Sequence, residues 1–137
     1  MLGKHKIIID TNLWISFLLS KKFAFIDELL SNGNVRLIFC NELLLEIIDV
    51  ATRPKLKKFF TEDDWKLVLK IINQYADYVN VTSYVSVCRD EKDDFLLALA
   101  KDSNANFLIT GDNDLLDLQQ FEHTAIVTMA EYKMLIS

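Results

Sequence analysis

A chain of 137 residues buries one substantial core and is short for two ordinary domains, so residues 1–137 read as a single domain. Hydrophobic residues at 51% and charged residues at 26% exclude a disordered chain, and 3 Gly with 1 Pro exclude collagen-like and loop-dominated scaffolds. The net charge of −5, from 15 Lys and Arg against 20 Asp and Glu, argues at first against a nucleic-acid binder, whose footprint is a basic surface.

The apolar runs Phe17-Leu18-Leu19 and Leu43-Leu44-Leu45 fall far short of the roughly 20 residues of a membrane helix. Lys4 and Lys6 precede Ile7-Ile8-Ile9, which is too short for a signal-peptide core. Cys40 and Cys88 show neither disulfide nor metal-ligand spacing and read as reduced, mostly buried thiols. The expected setting is the cytoplasm, with no membrane partner.

In chain order, Ile7-Ile8-Ile9 reads as a strand buried on both faces. Asp10-Thr11-Asn12 then offers helix-starting polar groups before the apolar stretch Leu13 to Leu19. Phe23 to Leu30 predicts a second helix closed by Asn32-Gly33-Asn34. Val35 to Phe39 is a second strand, after which Asn41 is expected to cap a helix from Glu42 to about Thr52, broken by Pro54.

Thr61 opens another helix with Glu62, Asp63 and Asp64 in its first turn, and Trp65, Leu69, Ile72 and Ala76 follow helical spacing. A short strand is expected at Val79 to Val81, a helix from Asp94 to Asp102, and strands at Phe107 to Thr110 and Ala125 to Val127. Thr128 to Glu131 has the form of a capping box for a last helix. Strands alternating with helices predict an α/β fold, a three-layer α/β/α sandwich around a central parallel sheet.

Ligands of an open parallel sheet bind beyond the carboxyl ends of its strands. Ile7-Ile8-Ile9 runs into Asp10, and Leu108-Ile109-Thr110-Gly111 into Asp112. Between Asn41 and Pro54, Glu42, Glu46, Asp49 and Arg53 fall within an arc of about 60° at 100° per residue. Periodicity alone favours a solvated stripe there, with Asp49 and Arg53 paired at i,i+4. Asp93 and Asp94 head the next predicted helix; capping explains Asp93, whereas Asp94 leads an almost wholly apolar helix. Carboxylates that converge repel one another unless a hard divalent cation holds them, and oxygen donors without His or Cys point to Mg²⁺ or Mn²⁺.

Taken together, Ile7 to Asn12, Glu42 to Glu46 followed by Arg53 to Leu56, Arg89 to Leu96, and Leu108 to Leu116 give the chain a pattern that resembles the PIN-domain family of metal-dependent ribonucleases. It is most similar to the branch of bacterial toxin–antitoxin toxins related to VapC. The resemblance spans nearly the whole chain and rests on the order, spacing and sheet context of moderately specific motifs. It implies four acidic metal ligands: Asp10, Glu46, one of Asp93-Asp94, and Asp112. For the third, the sixteen-residue step to Thr110 suits the spacing of the family it resembles and so points to Asp94. Asp114 matches a further acid, and Thr11, Asn12 and Thr110 match supporting polar positions.

The implied reaction is metal-assisted hydrolysis of RNA phosphodiesters, with a small antitoxin protein and a homodimer as family-level partners. Arg53, Lys55, Lys57 and Lys58 are the candidate phosphate contacts, with Lys66 and Lys70 further along; a solvated face is the competing reading. His5 and His123 read as surface or structural, and Trp14 and Trp65 as core. A phosphorelay receiver is disfavoured, because it needs an Asp after the third strand and a Lys after the fifth. A non-catalytic binding module on the same scaffold is the alternative. Setting aside the four implied ligands leaves 15 basic against 16 acidic residues, so the acidity is largely the site itself, whose local sign bound cations would invert.

Overall fold

The computed structural model describes residues 3–31, 33–88 and 91–136. Asn32 of the expected turn and Arg89-Asp90 of the third motif lie outside the described residues. The strands are β1 (His5–Ile9), β2 (Val35–Phe39), β3 (Ala76–Tyr78), β4 (Phe107–Ile109), β5 (Gln120–Phe121) and β6 (Thr124–Val127). The helices are α1 (Thr11–Ser20), α2 (Phe23–Leu30), α3 (Asn41–Ala51), α4 (Glu62–Tyr75), α5 (Glu91–Ser103), α6 (Asn113–Leu116) and α7 (Met129–Ile136), with a 3-10 turn at Lys57–Phe59.

The six strands form one sheet in the order β3-β2-β1-β4-β6-β5. All neighbouring pairs are parallel except β5 with β6. Ile7, Ile8 and Ile9 are each 0% exposed. Successive strand residues point to opposite faces, so helices must cover both sides of the sheet, which is the three-layer α/β/α sandwich.

Several local expectations are corrected. Cys40, not Asn41, occupies the N-cap of α3, and Asn41 is its first helical residue. The strand expected at Val79 to Val81 begins instead at Ala76, because α4 runs from Tyr75 straight into it. Edge pairing holds β3 there, with Arg36 on β2 donating to Asp77 at 2.7 and 3.1 Å. On α4 the buried stripe is Asp64, Val68, Ile71, Ile72 and Tyr75, which leaves the expected apolar position Leu69 exposed. The sheet is not wholly parallel: the two-residue strand β5, too short to leave a periodic signal, turns back on β6 through Glu122 at φ 53°.

The capping box expected at Thr128 to Glu131 forms, and α4 has a second one at Thr61. Thr61 and Asp64 exchange bonds of 2.9 and 3.2 Å, and Thr128 and Glu131 bonds of 3.0 and 3.1 Å. Trp14 is a core residue, its ring near Phe39 and Phe17, and Trp65 is half-buried, packed on Phe60 at the core's margin. His5 is structural as well. Nδ1 donates to the Gly3 carbonyl at 2.7 Å, which leaves Nε2 to accept from the Tyr132 hydroxyl at 2.6 Å and docks α7 on the sheet.

Candidate metal centre

The order β3-β2-β1-β4-β6-β5 places the topological switch point between β1 and β4. From β1 the chain winds outward to β2 and β3, and from β4 it winds the other way. Adjacent crossovers on opposite faces leave a crevice at the carboxyl ends of these two strands. Asp10 leaves β1 at that edge and is buried, its amide bonded to the Ile109 carbonyl at 3.0 Å. Thr110 leaves β4 beside it, 1% exposed. The Thr110 hydroxyl donates to Asp10 Oδ2 at 2.7 Å and accepts from the Asp112 amide at 3.0 Å. One hydroxyl thus ties the two strand-end acids together.

Burial pushes the Asp10 carboxyl above its ordinary range; the Thr110 hydrogen bond and the amides of Asn12 and Thr11 oppose this, while the charge of Asp112 adds to it. An ionised Asp10 is therefore under electrostatic pressure that a cation would relieve. Asp112 Oδ1 accepts from the Asp114 amide at 2.9 Å and caps α6, and so aims both acids of that short helix into the crevice.

The first turn of α5 supplies the remaining acid. One carboxylate oxygen from each of Asp93, Asp112 and Asp114 lies within 4.8 Å of the others. Of the expected third pair, it is Asp93 that joins this group. Asp94 is engaged elsewhere: its Oδ1 accepts from the amides of Val87 at 2.9 Å and Cys88 at 2.7 Å. Those two amides, Cys88 foremost, hold the Asp94 carboxyl below its usual range. The physical reason is rotation, since neighbouring helical residues point about 100° apart. A signal was present in the sequence: Leu96, Leu97 and Ala100 follow Asp93 at i+3, i+4 and i+7, and all three are buried, so Asp93 tops an inward face.

Asp10 and Glu46 are not members of the three-carboxylate group. Asp10 connects to it through Thr110, and Glu46 is half-buried on α3, which packs against α1. Thr11 is buried beside Asp10, with its hydroxyl lacking a hydrogen-bond partner among the described residues, whereas Asn12 is exposed. Arg53, Lys55, Lys57 and Lys58 are exposed on the connection from α3 to α4. Arg53 pairs with Asp49 at 3.1 Å, and Lys58 lies 5.3 Å from the centre of the Phe59 ring. His123 is exposed in the β5–β6 turn.

The donor set fits a hard divalent cation. It consists of carboxylate oxygens alone, the donors such a cation prefers, and the three lie within 4.8 Å of one another. The orphaned Thr11 hydroxyl is suited to a water in the same crevice. Cys88 lies close enough to feel this charge. Burial, then Asp94, Asp93 and Asp112, raise its thiol to about 11, which makes it a poor ligand beside the carboxylates.

Among known proteins, the chain is 31% identical over 121 residues to an uncharacterized protein, MJ1680, of Methanocaldococcus jannaschii, covering 85% of this chain and 76% of that protein. The family model "PIN domain" matches residues 6–114, a span that runs from β1 to Asp114 and takes in every acid described above. PIN domains are generally nucleases that use divalent metals. By that matched span, well over half of its length, the chain belongs to the PIN domain family.

Proposed function

We propose that this PIN domain is a divalent-metal-dependent endoribonuclease, the toxin of a toxin–antitoxin pair, acting in the cytoplasm as one domain of 137 residues. The observation that carries the nuclease reading is the convergence of Asp93, Asp112 and Asp114 at the crevice, coupled to Asp10 by the Thr110 hydroxyl. Asp93 takes the place of Asp94 in the ligand set, which becomes Asp10, Glu46, Asp93 and Asp112, with Asp114 supporting.

Mg²⁺ or Mn²⁺ in that set would supply a water of lowered pKa and neutralise charge on the scissile phosphate. The protein's own part is positioning. Thr110 holds the Asp10 carboxylate against the repulsion of Asp112, and the α6 N-terminus keeps Asp112 oriented. In this reading the exposed Arg53, Lys55, Lys57 and Lys58 hold phosphates of the strand without reading its sequence. A small antitoxin protein and a second copy of the chain are the proposed protein partners.

Purified protein should cleave RNA in Mg²⁺ or Mn²⁺, and Asp10→Asn should abolish cleavage while preserving the fold. Unchanged cleavage by that variant would overturn the mechanism. Toxicity on expression, relieved by co-expressing the product of an adjacent short gene, tests the toxin role; normal growth in both cases counts against it.

A further inference from the structure

Residues 81–88 carry no helix or strand and run antiparallel along α5, fastened at both ends by aspartates of that helix. Asp102 accepts from the amides of Thr82 at 2.7 Å and Ser83 at 2.9 Å, and from the Ser83 hydroxyl. Asp94 accepts from the amides of Val87 and Cys88 at 2.9 and 2.7 Å. Along the helix the two aspartates stand about 12 Å apart, and the strap between them reaches at most about 17 Å. It therefore has little slack and arches over the helix as a fixed bridge.

Beneath the arch is a groove of ≈ 510 Å³ lined by Ser83, Tyr84, Ser86 and Cys88 from the strap, and by Glu91 and Phe95 from α5. Asp94 also lines it, and Cys88 on its wall lies close enough to Asp93 and Asp112 to feel their charge, so the groove borders the candidate metal centre. Tyr84 is 89% exposed on the arch. An aromatic ring fully in water beside a half-apolar groove is poised for a flat, apolar-faced partner.

Resting on the nuclease reading above, we infer that this groove is a nucleobase subsite, in which Tyr84 stacks on one unpaired base of the RNA whose neighbouring phosphate lies at the acidic group. The charge of the lining decides the occupant. With Glu91 and Asp94 on the wall, a phosphate is repelled, whereas a neutral base presenting an exocyclic amine finds carboxylate acceptors. Single-stranded bases are commonly held by this combination of aromatic face and edge acceptors.

The test uses a single-stranded RNA carrying 2-aminopurine at successive positions, bound to the cleavage-blocked Asp10→Asn chain in Mg²⁺. One position should be quenched on binding. Adding Tyr84→Ala should remove that quenching and weaken binding about tenfold, and adding Tyr84→Phe should restore both. With the otherwise wild-type chain, Tyr84→Ala should raise KM for RNA more than it lowers kcat. Wild-type cleavage with Tyr84→Ala unchanged in binding and quenching overturns the subsite alone. No RNA binding or cleavage by wild type overturns the nuclease reading and the subsite with it. A change of oligomeric state in Tyr84→Ala, with RNA binding intact, assigns the groove to a protein contact and also overturns it.

Discussion

Asp93 and Asp94 are adjacent, chemically identical and both buried, yet they do different work. Asp93 adds its charge to the acidic group, and Asp94 closes the strap onto α5. Asp93→Asn should therefore lose the Mn²⁺-induced rise in melting temperature and lower cleavage by at least about a hundredfold, more than an outer-shell loss. Asp94→Asn should melt earlier without metal and keep the Mn²⁺ shift. Melting curves with and without Mn²⁺ separate the two, and the reverse pattern would return the ligand role to Asp94. Thr110→Val keeps the shape of the side chain but leaves Asp10 without its closest donor and the Asp112 amide without its acceptor. Its cost should be about 1–3 kcal/mol in urea unfolding, together with a further rise of the Asp10 pKa and weaker metal binding at low pH. The motifs made Asp10, Thr110 and Asp112 legible, because a strand end fixes where its next residue emerges. The choice between Asp93 and Asp94 was not legible in the same way, since it turns on the rotation of α5 about its own axis.

The strap and α5 form one unit. At 100° per residue, Glu91, Asp94, Phe95, Ala98 and Asp102 share an arc of about 100°, the stripe that faces residues 81–88. Their polar members look like an ordinary solvated stripe until the strap is in place. Val81 and Val85 pack against the core beside the helix instead of extending the strand expected at Val79 to Val81, because β3 already ends the sheet at Tyr78. The Ser83 hydroxyl, then the amides of Ser83 and Thr82, hold the Asp102 carboxyl below its ordinary 3.8. A depressed carboxylate pKa stabilises the fold above the unfolded value, and that stabilisation is lost as pH falls through the folded value. Asp102→Asn should thus melt below wild type at pH 6, the gap narrowing as pH falls below 3.8. A gap that persisted unchanged to acid pH would show that the ionised form is not what holds the strap.

At the scale of the molecule, one sheet brings together acids contributed by three separate stretches of chain. Asp10 and Asp112 are 102 residues apart in sequence and neighbours in space because β1 pairs with β4. Holding such charges together costs stability that a bound cation returns by linkage. At a hundredfold excess over Kd, Mn²⁺ should add about 2.7 kcal/mol, a rise of about 10 °C for a chain of this length. No rise in wild type would remove the metal centre. The core beneath is set by Ile7, Ile8 and Ile9, buried on both faces of the sheet. Among the described residues, no helix is long and apolar enough to cross a membrane.

By itself the sequence determined the alternation of strands and helices, the buried centre of the sheet, the capping box of the last helix and the acids at the ends of β1 and β4. All of these are local: periodicity, a cap or a strand terminus is encoded within a few residues. Tertiary structure alone decided that residues 81–88 form an arch pinned by Asp94 and Asp102 and that β5 closes the edge antiparallel. Those features depend on how a helix is rolled against the sheet and on which hydrogen-bond donors are left over once the strands have paired. No short window of sequence holds that information, because the partners lie far apart along the chain and are chosen only when the whole sheet is assembled.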